Sequence, residues 1–379
     1  MNSTRPYLSV IVPAKDAAHL LVTTLRALDE SDLPRPCWEL IVVDDVSTDD
    51  TAGVASAHAD LVIRLTGKPH GPAYARNRGV ERARGECVVF FDADVRVRPD
   101  TLSRIARLFA TRPDVAAVFG SYDDAPEAPG LVSQYRNLLH HYTHHQSPGE
   151  AHTFWAGAGA VRRTVFVDAG MYDEWRFPRP QIEDIELGHR IRALGGTIIL
   201  EPGIQVKHLK RWTLWQMIAT DFKDRGVPWT RLLVEGGMLL SLNEERARVL
   251  SLRVREKVNT VLVWLAFFAA LAALATLHGW LLGVVTALLA PVLWFSRGLY
   301  AFFERRRGFL FALGVVPLHL AYYLVNGVSV GWGYMLAQLV GEPHPDPTVA
   351  AFAEIGVQTW PPVPLNPKRP SNAVVIPGE

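Results

Sequence analysis

Two long stretches without a formal charge constrain this chain more than any other feature. No Lys, Arg, Asp or Glu occurs from Val258 to Ser296, and none from Phe309 to Val340. A helix needs about 20 mostly apolar residues to cross a bilayer. Core helices of soluble proteins seldom run this long without a charge, so both stretches are read as membrane-spanning. The first has room for two spans, with a hairpin at His278-Gly279. The second is longer than one span and shorter than two. It fits one tilted helix, or a span plus an interfacial segment broken at Asn326-Gly327. The membrane region is therefore expected at 258–340, with about three helices.

Basic residues set an expected orientation. Arg246, Arg248, Arg253, Arg255 and Lys257 precede the first span, and Arg297, Arg305, Arg306 and Arg307 follow the second. Cytoplasmic flanks carry such an excess. The start, Met1 to Pro6, is short and polar and lacks a secretory signal. The N-terminal domain is then expected on the cytoplasmic side of a multi-pass inner-membrane protein. Net charge is +1, so bulk attraction argues for no nucleic-acid partner. Cys37 and Cys87 fit no metal-ligand spacing, and a reduced compartment is the simpler reading, although the count allows one disulfide.

Residues 1–230 read as one α/β domain, 231–257 as a juxtamembrane connector and 341–379 as a Pro-rich, loosely ordered tail. Leu8–Pro13, Glu39–Val43, Leu61–Leu65 and Cys87–Phe91 are short apolar runs rich in β-branched or aromatic residues, as in buried strands. Helical spacing lies between them at Leu20–Leu28, Thr51–Ala59 and Pro72–Ala83. Further helices are expected at Thr101–Ala110, Leu131–Gln146 and Glu183–Ala193, and strands at Val115–Tyr122 and Thr197–Leu200. Phe154–Arg162 reads as a strand or a turn. Strand–helix alternation predicts a mainly parallel, Rossmann-like sheet covered on both faces. Ligands bind such sheets beyond the carboxyl ends of the strands.

Carboxylates gather at those ends. Asp44-Asp45 follows ELIVV, where burial is costly unless the charge is used. Such groups can accept hydrogen bonds from a nucleobase N–H or from ribose hydroxyls. Asp92-Ala93-Asp94 follows CVVFF, and alternation puts both carboxylates on one side of an extended segment. Hard oxygen ligands of this kind suit Mg²⁺ or Mn²⁺, with diphosphate oxygens completing the shell. Glu183-Asp184 and Glu186 open a helix, where acids are favoured by the dipole; one of them can also act as a general base. Gly157 lies in a GxG that lacks a third glycine, so no Rossmann fingerprint forms, and Pro69 excludes a Walker loop at Gly67-Lys68. His140, His141, His144 and His145 pair at i, i+4; without a third ligand nearby they read as part of an interfacial helix rather than a zinc site.

SVIVPAKD, VVDDVSTDDT, GPAYARNRG, VVFFDADV and EDIELGHRIRALG together resemble the family-2 glycosyltransferases of GT-A fold, over roughly Leu8 to Arg225. The resemblance implies that Pro13, Ala14, Asp16, Asp44 and Asp45 line a nucleotide pocket. Gly71, Ala75, Arg76 and Asn77 would hold base and ribose. Asp92 would bind ribose and metal, Asp94 would be the main metal ligand and Asp184 the catalytic base. The sequence departs from the common pattern at Lys15-Asp16, where Asn-Glu is frequent, and at Val46, where Gly is usual. In place of a QxxRW element stands His208-Leu209-Lys210-Arg211-Trp212. His208 is a candidate ligand, Arg211 and Trp212 candidate diphosphate or interface residues, and Trp155, Gly157 and Glu183 candidates for the acceptor region.

The implied activity is inverting transfer from a nucleotide-diphosphate sugar, with a UDP-sugar favoured, to a membrane-associated hydroxyl on a lipid or lipid-linked glycan. A polyprenyl-phosphate acceptor, a polysaccharide synthase and an inactive membrane scaffold are the alternatives. An acid at 184 favours a hydroxyl, because a lipid phosphate is already ionised and needs no base.

Overall fold

The computed structural model describes residues 6–237, Leu239, 254–340 and the backbone of 373–376. Two compact units divide these residues: 6–122 with 148–209 and 373–376, and 123–147 with 210–340.

The first unit is built on a sheet with ten strands among the described residues. They are β1 (Leu8–Ala14), β2 (Trp38–Asp44), β3 (Leu61–Leu65), β4 (Cys87–Phe91), β5 (Val95–Val97), β6 (Val115–Tyr122), β7 (Gly149–Ala151), β8 (Ala158–Arg162), β9 (Thr197–His208) and β10 (Ala373–Ile376). The order is β10-β3-β2-β1-β4-β8-β6-β9-β5, with β7 also beside β9. From β10 to β4 every pair is parallel, as the alternation predicts. The other half is mixed. β8 runs antiparallel between β4 and β6, β6 and β9 are parallel, and β5 and β7 are antiparallel to β9. The mainly parallel, Rossmann-like expectation holds for the sheet, with the mixed half arising where β8 returns between β4 and β6 against the direction of both.

Successive strand residues face opposite sides, so a sheet covered twice needs continuous apolar runs. On one face Val10, Val12, Leu40, Val42, Val89 and Phe91 meet Leu21, Leu25 and Leu28 of α1 (Ala18–Asp29) and Leu102, Ile105 and Phe109 of α4 (Thr101–Thr111). Short α2 (Thr51–Ser56) joins β2 to β3. On the other face lies α3 (Pro72–Arg82), whose Gly79 sits so close that a Cβ would stand 2.5 Å from the Ile11 side chain. Each such buried Leu, Ile, Val or Phe contributes about 1.5–3 kcal/mol over an exposed one.

β9 departs most from expectation. The sequence predicts Thr197–Leu200, whereas the strand continues through Pro202-Gly203 to His208. The β6 ladder shifts register between Phe119 and Ser121, opposite that Pro-Gly, which spares Pro202 a ladder hydrogen bond it has no N–H to make. Gly120 permits the close approach: a Cβ there would lie 1.9 Å from the Ile204 carbonyl oxygen.

The second unit is helical: α5 (Leu131–His145), α8 (Leu214–Ala219), a π-helical stretch at Thr220–Gly226, α9 (Val227–Glu235), α10 (Val254–Thr276), α11 (Trp280–Phe295), α12 (Arg297–Arg307) and α13 (Phe309–Leu339); α6 (Arg163–Asp168) and α7 (Glu183–Ala193) belong to the first unit. Tyr135, Leu138, Met217, Phe303 and Val315 form its core, beside a buried Arg136–Asp221 pair at 2.6 Å. On α5 the His140/His144 and His141/His145 rings lie 4.0 and 3.8 Å apart, and His141 stacks on Phe302. Among the described residues no three metal-ligating side chains converge. Cys37 and Cys87 are both free thiols.

α10 and α13 are long and apolar enough to cross a membrane; α11 with α12 makes at most a third, bent by 67°. The chain turns between α10 and α11 at Leu277–Gly279, with Leu277 at φ +57°. α13 continues unbroken through Asn326-Gly327, which removes the alternative of a break there. Gly327 serves packing instead, since a Cβ would lie 1.9 Å from the Trp264 indole nitrogen of α10. Apart from the β10 backbone, the Pro-rich tail lies outside the described residues, as does most of the expected connector.

Candidate active site

β1 and β2 end side by side, Pro13 opposite Val43 and Ala14 opposite Asp44. Asp45 N–H donates to the Ala14 carbonyl at 2.8 Å. Asp45, buried, accepts 2.8 Å hydrogen bonds from the His70 and Gly71 N–H groups and so fixes the loop that opens α3. Gly71 is needed for that loop: its φ is +93°, and a Cβ would meet the Pro178 carbonyl oxygen at 2.4 Å. Asp44, also buried, accepts from Ser47 N–H at 3.1 Å.

Between them Val46 takes φ +59°, the left-handed conformation natural to the glycine that is usual here. A β-branched side chain pays steric strain in that region. Asp16 is also left-handed, at φ +46°. Its carboxylate accepts from Thr48 N–H at 2.7 Å and pairs with Lys15, which with Thr48 holds its pKa down at about 2. Asp16 N–H donates to Ser47 Oγ, Ala17 N–H to Thr51 Oγ1 and Ala18 N–H to Asp49. The loops after β1 and β2 are thus stitched into one rim.

Arg76 joins the strand ends to α7. Its guanidinium donates to Asp92 Oδ1 and to Glu183 Oε1, each at 2.8 Å, and it is buried. Glu183 also accepts from Gln181 N–H. Burial pushes the Asp92 pKa up against the pull of Arg76. Asp184 carries no ion pair among the described residues; it accepts from Ala156 N–H at 3.0 Å. Burial, then the neighbouring Glu183 charge, raises its pKa to about 7. Gly188 lets α7 press onto the Thr153–Phe154 backbone, which brings Asp184 to Ala156. Glu186, buried, is bound to Arg190 by two 2.7 Å hydrogen bonds along α7 and is paired away from this cluster. Asn77 is buried, its amide bonded to the Tyr172 backbone and to Glu174, so it acts on the site through that loop.

Asp94 is held by backbone: Val95 pairs with His208, and Leu209 N–H donates to the Asp94 carbonyl at 2.9 Å. His208 Nε2 then lies 3.6 Å from Asp94 Oδ2. Ligands bonded to one divalent ion at about 2.1 Å stand roughly 3–4 Å apart, so this carboxylate–imidazole pair fits a shared Mg²⁺ or Mn²⁺. Tyr122 stacks on His208 at 4.6 Å and meets Trp155 edge-on at 4.9 Å. Gly157 lies under the Trp155 indole, 2.4 Å from it at the Cβ position. Sequence reasoning gave Tyr122 no role; an aromatic closing a strand is too common to signal one. Arg211 and Trp212 fall in the second unit, where Arg211 is exposed and Trp212 N–H donates to Ser133 Oγ at 2.8 Å. Lys210 and Arg136 lie over the Trp212 ring.

Comparison with known proteins agrees with this architecture. Residues 9–169 match the family model described as Glycosyl transferase family 2. The glycosyltransferase AglE of Haloferax volcanii is 32% identical over 108 residues, 27% of this chain and 36% of that protein. The pre-mycofactocin glycosyltransferase of Mycobacterium tuberculosis is 29% identical over 225 residues, 56% of this chain and 44% of that one. The chain spans less than half the length of these relatives. Among solved structures, the mannosyltransferase PcManGT of Pyrobaculum calidifontis, in complex with GDP-Man and Mn²⁺, shares the fold with TM-score 0.52 at 21% identity, over 86% of this chain and 88% of that one. The chain therefore shares the GT-A fold, and its residues 9–169 match glycosyltransferase family 2.

Proposed function

We propose that this chain transfers a sugar from a nucleotide diphosphate, a UDP-sugar in the favoured reading, to an acceptor hydroxyl with inversion. One observation carries the reading: Arg76 ties Asp92 to Glu183, which gathers the strand-end carboxylates and the helix-start acids around Asp184. Pro13, Ala14, Asp16, Asp44, Asp45 and Gly71 form the nucleotide rim. Asp94 and His208 would hold Mg²⁺ or Mn²⁺ together with diphosphate oxygens, and the ion when bound offsets the charge on the departing diphosphate.

Asp184 takes the acceptor proton, and a pKa of about 7 suits that work near neutral pH. The acceptor oxygen bonds to the anomeric carbon as the bond to the diphosphate oxygen breaks, and the electron pair leaves on the diphosphate. A single displacement converts an α-linked donor into a β-linked product. Ala156 N–H donates to Asp184 Oδ2 and Ile185 N–H to Oδ1, so two backbone groups orient the carboxylate. A base is superfluous for a lipid phosphate, which supports a hydroxyl acceptor. α10 and α13 support one that resides in or at the membrane, on a lipid or lipid-linked glycan, and the basic flanks of the apolar stretches support a catalytic domain on the cytoplasmic side.

The test uses the full chain in detergent. Calorimetry of UDP and GDP is run with and without Mn²⁺, and radiolabelled UDP-sugars are incubated with total lipid extract and with soluble hydroxyl acceptors. Metal-dependent nucleotide binding and label in the lipid fraction are expected. No metal-dependent binding overturns the enzymatic reading, and label confined to soluble acceptors overturns the lipid one.

A further inference from the structure

Tyr122 closes β6, where register places it opposite Val206 of β9. Paired residues in a sheet share a face, and His208, two residues beyond Val206, faces the same way. The Tyr122 ring therefore lies flat on the imidazole, at 4.6 Å and 20° between planes. Its other neighbour, Trp155, stands at 82° to it and backs it from the side. β5 holds the opposite flank of His208 through the Val95 pairing. Backbone pairing fixes where His208 starts; it leaves the torsions of the side chain free. The aromatic contact removes that freedom and keeps Nε2 turned toward Asp94.

We infer that Tyr122 is a positioning residue: by stacking on His208 it presets the Asp94–His208 pair for a divalent ion. The inference rests on the proposed metal-assisted reading and adds a residue to it. Partners that orient a metal-binding histidine change metal affinity by about 10–100-fold when removed. Stacking needs a flat ring and no hydroxyl, so Phe should replace Tyr122 where Leu does not.

The experiment measures Mn²⁺ binding by calorimetry with saturating UDP, for wild type, Tyr122→Phe, Tyr122→Leu and Tyr122→Met. A second, metal-free readout is NMR of ¹³C-histidine-labelled protein, with the His208 signal assigned by its loss in His208→Gln. Expected are about tenfold weaker Mn²⁺ binding in Tyr122→Leu, wild-type binding in Tyr122→Phe, and loss of the ring-current shift of His208 in the Leu variant alone of that pair. Tyr122→Met repeats the test if the Leu variant does not fold. Wild-type Mn²⁺ affinity in a folded Leu or Met variant overturns the positioning role and leaves the proposed function standing. Absence of Mn²⁺ uptake by wild type overturns both.

Discussion

The Ala156 N–H points at Asp184 Oδ2 from 3.0 Å and is joined there by no cation among the described residues. A backbone N–H orients a carboxylate while leaving it basic; an ion pair like that of Glu183 with Arg76 would hold it ionised and weaken it as a base.

A pH dependence follows. The Asp184 pKa rises from 3.8 to about 7 through burial and the Glu183 charge. Transfer should climb as pH rises from 6 to 8, following one ionisation near 7. Stability should move the other way. The folded state keeps a proton that the unfolded chain gives up, so this contribution is full below about pH 4 and is lost as pH rises through 7. Asp184→Asn should abolish transfer and flatten the stability trend between about pH 4 and 7. Single-turnover rates and melting curves at several pH values check both.

Asp94→Ala and Asp184→Asn should fail differently. The first should lose Mn²⁺-assisted UDP binding together with transfer. The second should bind UDP and Mn²⁺ as wild type does and transfer nothing. Calorimetry beside a radiolabel assay separates them, and near-normal turnover in Asp184→Asn rejects that residue as the base.

Arg76 holds two carboxylates. Its removal in Arg76→Ala leaves Glu183 buried without a cation, a change that costs about 3–5 kcal/mol in comparable buried pairs. Asp92 is more open to water and adds less. Denaturant unfolding should show a midpoint well below wild type, and Arg76→Lys, which cannot reach both acids with a fork, should recover only part of the difference.

Val46→Gly should stabilise. A left-handed β-branched residue carries about 1–3 kcal/mol of strain, which glycine relieves at a smaller entropic cost. Melting temperature should rise by a few degrees. Val46→Ala, which keeps a Cβ at φ +59°, should not gain as much.

In the parallel half β2 and β4 were the most legible, because each is an apolar run ending in acid, ELIVV before Asp44 and CVVFF before Asp92, whereas β10 lies in a stretch that reads as a loose tail. The acids of the site were legible for the same reason, since a carboxylate at a buried strand end stands out. What joins them was not. Arg76 reaches Glu183 across 107 positions of sequence, and no local spacing carries that contact. β9 was cut short because Pro202-Gly203 reads as a turn, whereas a register shift in β6 absorbs it. Asn326-Gly327 misled in the same manner: Gly327 is a seat for Trp264 and ends no helix.

α11 has only 16 residues before the chain bends by 67° into α12. Such a rod is about 24 Å long, short of a hydrocarbon layer of about 30 Å. Were α11 alone to cross, a bilayer of ordinary thickness would have to pucker to meet its ends. Lipids beside it would be drawn inward, a local dimple that brings head groups closer to the mid-plane.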